Sequence, residues 1–200
     1  REELELSVRV TEEKGAPMAG ALVTVDAERL NWSRSAATDA AGKATVRAVN
    51  NPNDKHTIRV TAEGMVPHDR RVPEPGRGPT TIQMARAASY GGVVVDEAGQ
   101  QIPYASVGVQ AHGPGGSRTA TSLTDAEGHW RMSLMPANPQ SITMTLRHQE
   151  YVSGPTSTPS IRELRSGKAS LVMRRGILFS GVVIGADGTC VSDAQVRQGS

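Results

Sequence analysis

Five histidines (His56, His68, His112, His129, His148) and a single cysteine, Cys190, are the residues here most able to ligate a metal or act as base or nucleophile. Their spacing does not assemble that chemistry. No two histidines stand four apart, as a helical zinc pair requires, and there is no Cys-x-x-Cys. His148-Gln149-Glu150 gives a His-x-Glu triplet, but the Pro-Cys-x-x-Cys half of a deaminase site is missing. No Gly-x-Ser-x-Gly elbow is present, and Cys190 has no companion signature of a thiol nucleophile. Gly113-Pro114-Gly115-Gly116 is glycine-rich, yet it lies between two expected strands with no helix after it to receive phosphate.

Carboxylates offer one repeated pattern. Thr38-Asp39-Ala40-Ala41-Gly42 and Thr124-Asp125-Ala126-Glu127-Gly128 share Thr-Asp-x-x-Gly. Calcium takes six to eight oxygens, and one carboxylate per site supplies few of them. An Asp can instead accept hydrogen bonds from amides two or more residues on, and Gly can take the positive φ such a turn needs. Thr38, Asp39, Gly42, Thr124, Asp125 and Gly128 are therefore expected to build structural turns. Each following strand, Lys43 to Val46 and His129 to Met132, is expected to return antiparallel to the strand before it, as a hairpin.

The surrounding elements read as β. Leu4, Leu6, Val8 and Val10 fall on one face of a strand, with Glu5, Ser7 and Arg9 on the other. Ile58 and Val60 repeat the period of two, as do Ile142, Met144 and Leu146, and Leu171 with Met173. Gly (21) and Pro (12) punctuate many short apolar runs, which points to an all-β chain. The one expected helix is a single turn at Ser160 to Ser166, with Ser160 as cap and Glu163 three residues on.

The chain repeats itself. Gly92-Val93-Val94-Val95-Asp96-Glu97-Ala98-Gly99, followed by Ala105-Ser106-Val107, matches Gly181-Val182-Val183-Ile184 through Gly188 and Ala194-Gln195-Val196. A drifted copy opens the chain. The two Thr-Asp-x-x-Gly blocks stand about 86 residues apart, a domain-sized period. Modules are expected at 1–86 and 87–176, with the first strands of a truncated third at 177–200. Short connectors are expected around Arg86 to Gly91 and Arg174 to Gly176.

This order (Gly-x-Val-x-Asp-x-x-Gly, Ile-Pro-x-Ala-x-Val, Thr-Asp-x-x-Gly-x-Trp, then a late strand near Tyr151) resembles the carboxypeptidase regulatory-like domain. The resemblance implies tandem prealbumin-like, Ig-like antiparallel β-sandwiches of about seven strands each, related to transthyretin-like and starch-binding-like folds. It also implies a non-catalytic spacer or protein-interaction module of a larger exported or membrane-anchored bacterial protein, at an extracellular, periplasmic or cell-surface location. No catalytic residue, cofactor or metal is carried over. The first module departs from the pattern at its opening, and Ala44 stands where an aromatic is usual.

Expected partners are the flanking domains of the parent protein. The alternative reading is a carbohydrate-binding module, with a glycan or another protein held on aromatic platforms. Trp32, in the polar stretch Glu28 to Ser35 read as a loop, and Tyr104 are the platform candidates, with the Gly113 to Arg118 loop beside them. Trp130 is expected in the core. An enzyme is the least supported class. Net charge +2, from 22 basic and 20 acidic residues, gives no nucleic-acid footprint. No apolar run approaches a membrane helix. A chain beginning at Arg1 with no leader reads as a segment of something longer.

Overall fold

The computed structural model describes residues 3–27, 31–49, 56–72, 79–113, 115–154, 158–177, 181–192 and 194. Glu28, Phe179 and Val196 lie outside the described residues, as does the Leu4 side chain.

Alternation translates into burial: Leu6, Val8 and Val10 are buried while Glu5, Ser7 and Arg9 are exposed. They belong to β1 (Glu3–Glu12), followed by β2 (Leu22–Ala27), β3 (Trp32–Ala37), β4 (Lys43–Val49), β5 (His56–Thr61), β6 (His68–Arg71) and β7 (Thr80–Met84). Two sheets, β4-β1-β7 and β3-β2-β5-β6, close over a core of Val8, Val10, Val23, Val25, Ile58, Val60, Ile82 and Met84.

A second set repeats this plan. It comprises β8 (Ala87–Val95), β9 (Ser106–Gly113), β10 (Gly116–Leu123), β11 (His129–Pro136), β12 (Ser141–Arg147), β13 (Tyr151–Ser153), α1 (Ile161–Ser166) and β14 (Ala169–Arg175). Sheets β11-β8-β14-β13 and β10-β9-β12 enclose Tyr90, Val94, Val107, Val109, Trp130, Met135, Leu164, Leu171 and Met173. Among the described residues the chain thus forms two predominantly β sandwiches of seven strands each. Pairing is mostly antiparallel, but β1 runs parallel to β7 and β8 parallel to β14.

Helix α1 forms where its capping residues predict. The Ser160 side chain accepts from the Glu163 amide, the Glu163 side chain accepts from the Ser160 amide, and Gly167 ends the helix at φ 71°. The Ser160 hydroxyl, donating to Glu163 Oε2 at 2.6 Å, and then the Ser160 amide hold the Glu163 carboxyl below its usual range. The helix seats Leu164, fully buried, beside β8 and β14.

Tyr90 anchors the second core, donating its hydroxyl proton to the Pro136 carbonyl. Burial pushes its ionisation up to about 12, against a smaller opposing pull from Arg165. The neutral phenol is therefore the form that folding favours. Its contribution is complete below the ordinary tyrosine value of about 10 and drains away as pH rises from there through the folded value. Alkaline unfolding monitored by circular dichroism is expected to begin near pH 10, with the tyrosinate absorbance of Tyr90 appearing together with the loss of structure. A Tyr90 signal that titrates near 10 in the intact fold would contradict this.

Three expectations change. The Thr-Asp-x-x-Gly segments do not close hairpins: β3 pairs with β2 and β4 with β1, so each turn carries the chain from one sheet to the other. The turn is local chemistry, whereas the strand that Lys43 joins is set by its register opposite Arg9. Residues 87–91, read as a connector, are the first half of strand β8, and Arg174 and Arg175 end β14. Trp32 lies not in a loop but at the start of β3, half-buried against the first core with Ala36.

Candidate functional site

Both Thr-Asp-x-x-Gly segments have the same bond pattern. Asp39 Oδ1 accepts from the amides of Ala41 (2.9 Å) and Lys43 (2.8 Å); Asp125 Oδ1 accepts from Glu127 (3.1 Å) and His129 (2.7 Å). Gly42 and Gly128 sit at φ 71° and 72°. The buried threonines tie each turn to the preceding loop. Thr38 Oγ1 accepts from the Ala21 amide and donates to the Met18 carbonyl; Thr124 Oγ1 accepts from Ala105 and donates to Ile102. These carboxylates are spent on amides, and among the described residues no group of three or more His, Cys, Asp or Glu is placed to hold a metal. Asp96 makes the same turn with Ala98 and Gln100, a third copy of the chemistry in Asp96-Glu97-Ala98-Gly99.

The two platform rings differ. The Arg34 guanidinium sits 5.6 Å from the Trp32 ring centroid, so that ring is half-buried on the core and covered by a cation. Tyr104 is 71% exposed and holds φ 57°, a left-handed backbone that its counterpart in the first sandwich, Gly20 at φ 74°, adopts without a side chain. The structure does not bring Trp32 and Tyr104 together in any contact. Trp130 is buried in the second core, and Cys190 is exposed beside the opening turn of the third repeat.

The junction is shorter than the connector expected around Arg86 to Gly91. Only Ala85 and Arg86 separate β7 from β8. Neither is free. The Val66 amide donates to the Ala85 carbonyl (2.8 Å), the Ala87 amide to Gly64 (2.8 Å) and the Ala137 amide to Arg86 (2.7 Å). The first sandwich grips the connector on one side and the second on the other. Glu13 adds a brace: its carbonyl accepts from Gln83 Nε2 (2.7 Å) and its carboxylate from the Arg86 amide (3.2 Å).

The β9–β10 hairpin of the second sandwich reaches back over the joint. The His68 ring, at the head of β6, meets the Gly115 carbonyl. Gly115 has φ 109°, and a Cβ there would lie 3.0 Å from the Gln83 carbonyl oxygen, so glycine lets the tip approach the first sandwich. The tip, His68, Asp69 and Arg118 border a cleft of about 200 Å³. Met65, Val66, Ala85 and Ala137 are buried here, while Gly64 and Arg86 are exposed.

Residues 5–85 match the carboxypeptidase regulatory-like domain along their length. The first sandwich is thus similar to the carboxypeptidase regulatory-like domain. The match falls on the copy whose opening departs most from the family pattern. No curated protein matches the chain. Solved structures similar to it include a streptococcal ancillary pilin (11% identity, TM-score 0.36), covering 87% of this chain and 62% of that one. They also include the shaft pilin SpaA of Lactobacillus rhamnosus GG (9% identity, TM-score 0.33; 90% and 100% covered). A third is the pilus backbone of Streptococcus pneumoniae (11% identity, TM-score 0.31; 86% and 64% covered). The chain thus spans under two thirds of the first of these.

Proposed function

We propose that the chain is an architectural segment: two sandwich modules, 1–86 and 87–176, and the opening of a third, which hold flanking parts of an exported or surface-anchored protein at a fixed distance and angle. The observation that carries this reading is the two-residue connector bonded to both sandwiches. A free tether would let the modules reorient, which is the default between domains that share little interface. No helix among the described residues is long and apolar enough to cross a membrane.

The test is a distance distribution between spin labels at Ser33 and Thr143, one on each sandwich, with Cys190 replaced by Ser. One narrow peak is expected. His68→Ala combined with Glu13→Ala is expected to broaden it severalfold while each sandwich keeps its own melting transition. A broad distribution in the otherwise unaltered chain would end the reading.

A further inference from the structure

The joint between the two sandwiches is a template for the far end of the second. Val10 and Val94 hold the same place, each donating its amide to the carbonyl of the turn glycine, Gly42 or Gly128. Met84 and Met173 also share a place, as the last buried residue of β7 and of β14. Counted from these anchors, Arg86 corresponds to Arg175, Ala87 to Gly176 and Glu13 to Glu97.

The half of the joint that the first sandwich supplies is present again in the second. The Ala87 amide donates to the Gly64 carbonyl at 2.8 Å, and the Gly176 amide to the Glu150 carbonyl at 2.7 Å. Met65 bridges Arg86, and Tyr151 pairs with Arg175. The Val66 amide donates to Ala85, and Val152 pairs with Arg174. Glu13 braces the exit strand through the Arg86 amide, and Glu97 through Arg174 Nε at 2.8 Å. The His68 contact has no counterpart, because Gly154 stands at its place.

The difference is cover. Val66 is 8% exposed, and the cleft it borders has Arg118 and Pro136 of the second sandwich on its far wall. Val152 is 55% exposed. Ile177 is exposed, whereas Ala88 at its place packs on the second core. Beyond Ile177 the sandwich pattern starts afresh. The Gly185 amide donates to Thr189 and the Val191 amide to Val183, as Asp96 does to Gln100 and Ile102 to Val94. Val94 and Ile102 are buried in a core, and Val183 and Val191 are exposed. A gripped exit strand, an apolar rim and an opening turn with exposed valines fit one kind of partner, another sandwich of the same pattern. The strand leaving the clamp is that partner's own first strand, so the partner is joined in the chain rather than recruited from solution.

We infer that Tyr151, Val152 and the clamped strand end at Arg174 to Gly176 are the docking surface for a third sandwich beginning at Ile177, seated on the second as the second is seated on the first. This rests on the architectural reading and extends it from one joint to a repeating one. The probe is a chain of residues 1–176 followed by a second copy of residues 88–176, which supplies a complete third sandwich in the register of Ile177. Spin labels at Thr119 of the second sandwich and at the third's copy of Thr143 report the new joint. Labels at Ser33 and at Thr143 of the second report the old one, since Ser33 and Thr119 hold the same place on β3 and β10. The new joint is expected to give one narrow peak at the distance of the old. Val152→Asp in the second sandwich is expected to broaden it severalfold, because it places an unpaired carboxylate under the third. The old peak and the melting transitions are expected to stay unchanged in that variant. A broad new peak, a narrow one at another distance, or one that Val152→Asp leaves as it was overturns the inference, whatever the old joint shows. A broad old peak counts against the architectural reading instead. A dimer of the 200-residue chain in sedimentation velocity that Val152→Asp converts to monomer also overturns the inference, because the surface would then join two copies.

Discussion

Gly42→Ala is expected to destabilise the first sandwich by about 2–5 kcal/mol, the sum of a left-handed backbone penalty of about 1–2 and an overpacking cost of about 1–3 kcal/mol. Gly42 holds φ 71°, and its missing Cβ would lie 2.4 Å from the Val10 carbonyl oxygen and 3.0 Å from the Met18 amide. Both are backbone atoms of β1 and the loop after it, and the Gly42 carbonyl accepts the Val10 amide at 2.7 Å. None can swing away as a side chain would. Gly15→Ala is the control: φ is 83° but nothing lies within 4 Å of a Cβ, so only the backbone penalty of about 1–2 kcal/mol remains. Calorimetry should show the first-sandwich transition falling well below the second in Gly42→Ala. Equal effects of the two substitutions would contradict the packing account.

Thr124→Val is expected to cost the second sandwich about 3 kcal/mol, since it strands two buried backbone groups at about 1–3 kcal/mol each. The Thr124 hydroxyl is the partner of the Ala105 amide (2.8 Å) and of the Ile102 carbonyl (2.8 Å). Valine keeps the shape and removes both bonds. Thr124→Ser keeps both and gives up only a methyl group, so its cost is expected near 1 kcal/mol. Denaturant midpoints for the pair decide the matter: valine no worse than serine would show that shape, rather than the hydroxyl, holds the turn.

How much of this was legible in the sequence follows from the range of each signal. Period-two alternation is local, so Leu6, Val8 and Val10 announced β1 and its buried face. Asx-turn chemistry spans only a few residues, so Asp39 and Asp125 could be read as turn builders. Where the chain goes after the turn is non-local. Whether Lys43 pairs with β3 or crosses to β1 depends on a register that no window of the sequence contains. Trp32 misled for a related reason. Its neighbours Ser33, Arg34 and Ser35 are polar because β3 is an edge strand facing solvent, while Trp32 and Ala36 reach the core. The clamp at Ala85–Arg86 left no pattern, because its bonds are made by backbone groups of Gly64, Val66 and Ala137, whose side chains carry little information. The matching clamp at Glu150 and Gly176 was invisible for the same reason, since neither residue shares its type with Gly64 or Ala87 at the same places.

The side-by-side parallel run of first and last strand has a mechanical outcome. Because β1 and β7 travel the same way, the polypeptide enters a sandwich at one pole and leaves at the other, and β8 with β14 does likewise. Traction on the two ends slides these strands past one another lengthwise. The rungs from Val8–Thr80 to Glu12–Met84 then carry the load together instead of parting one by one.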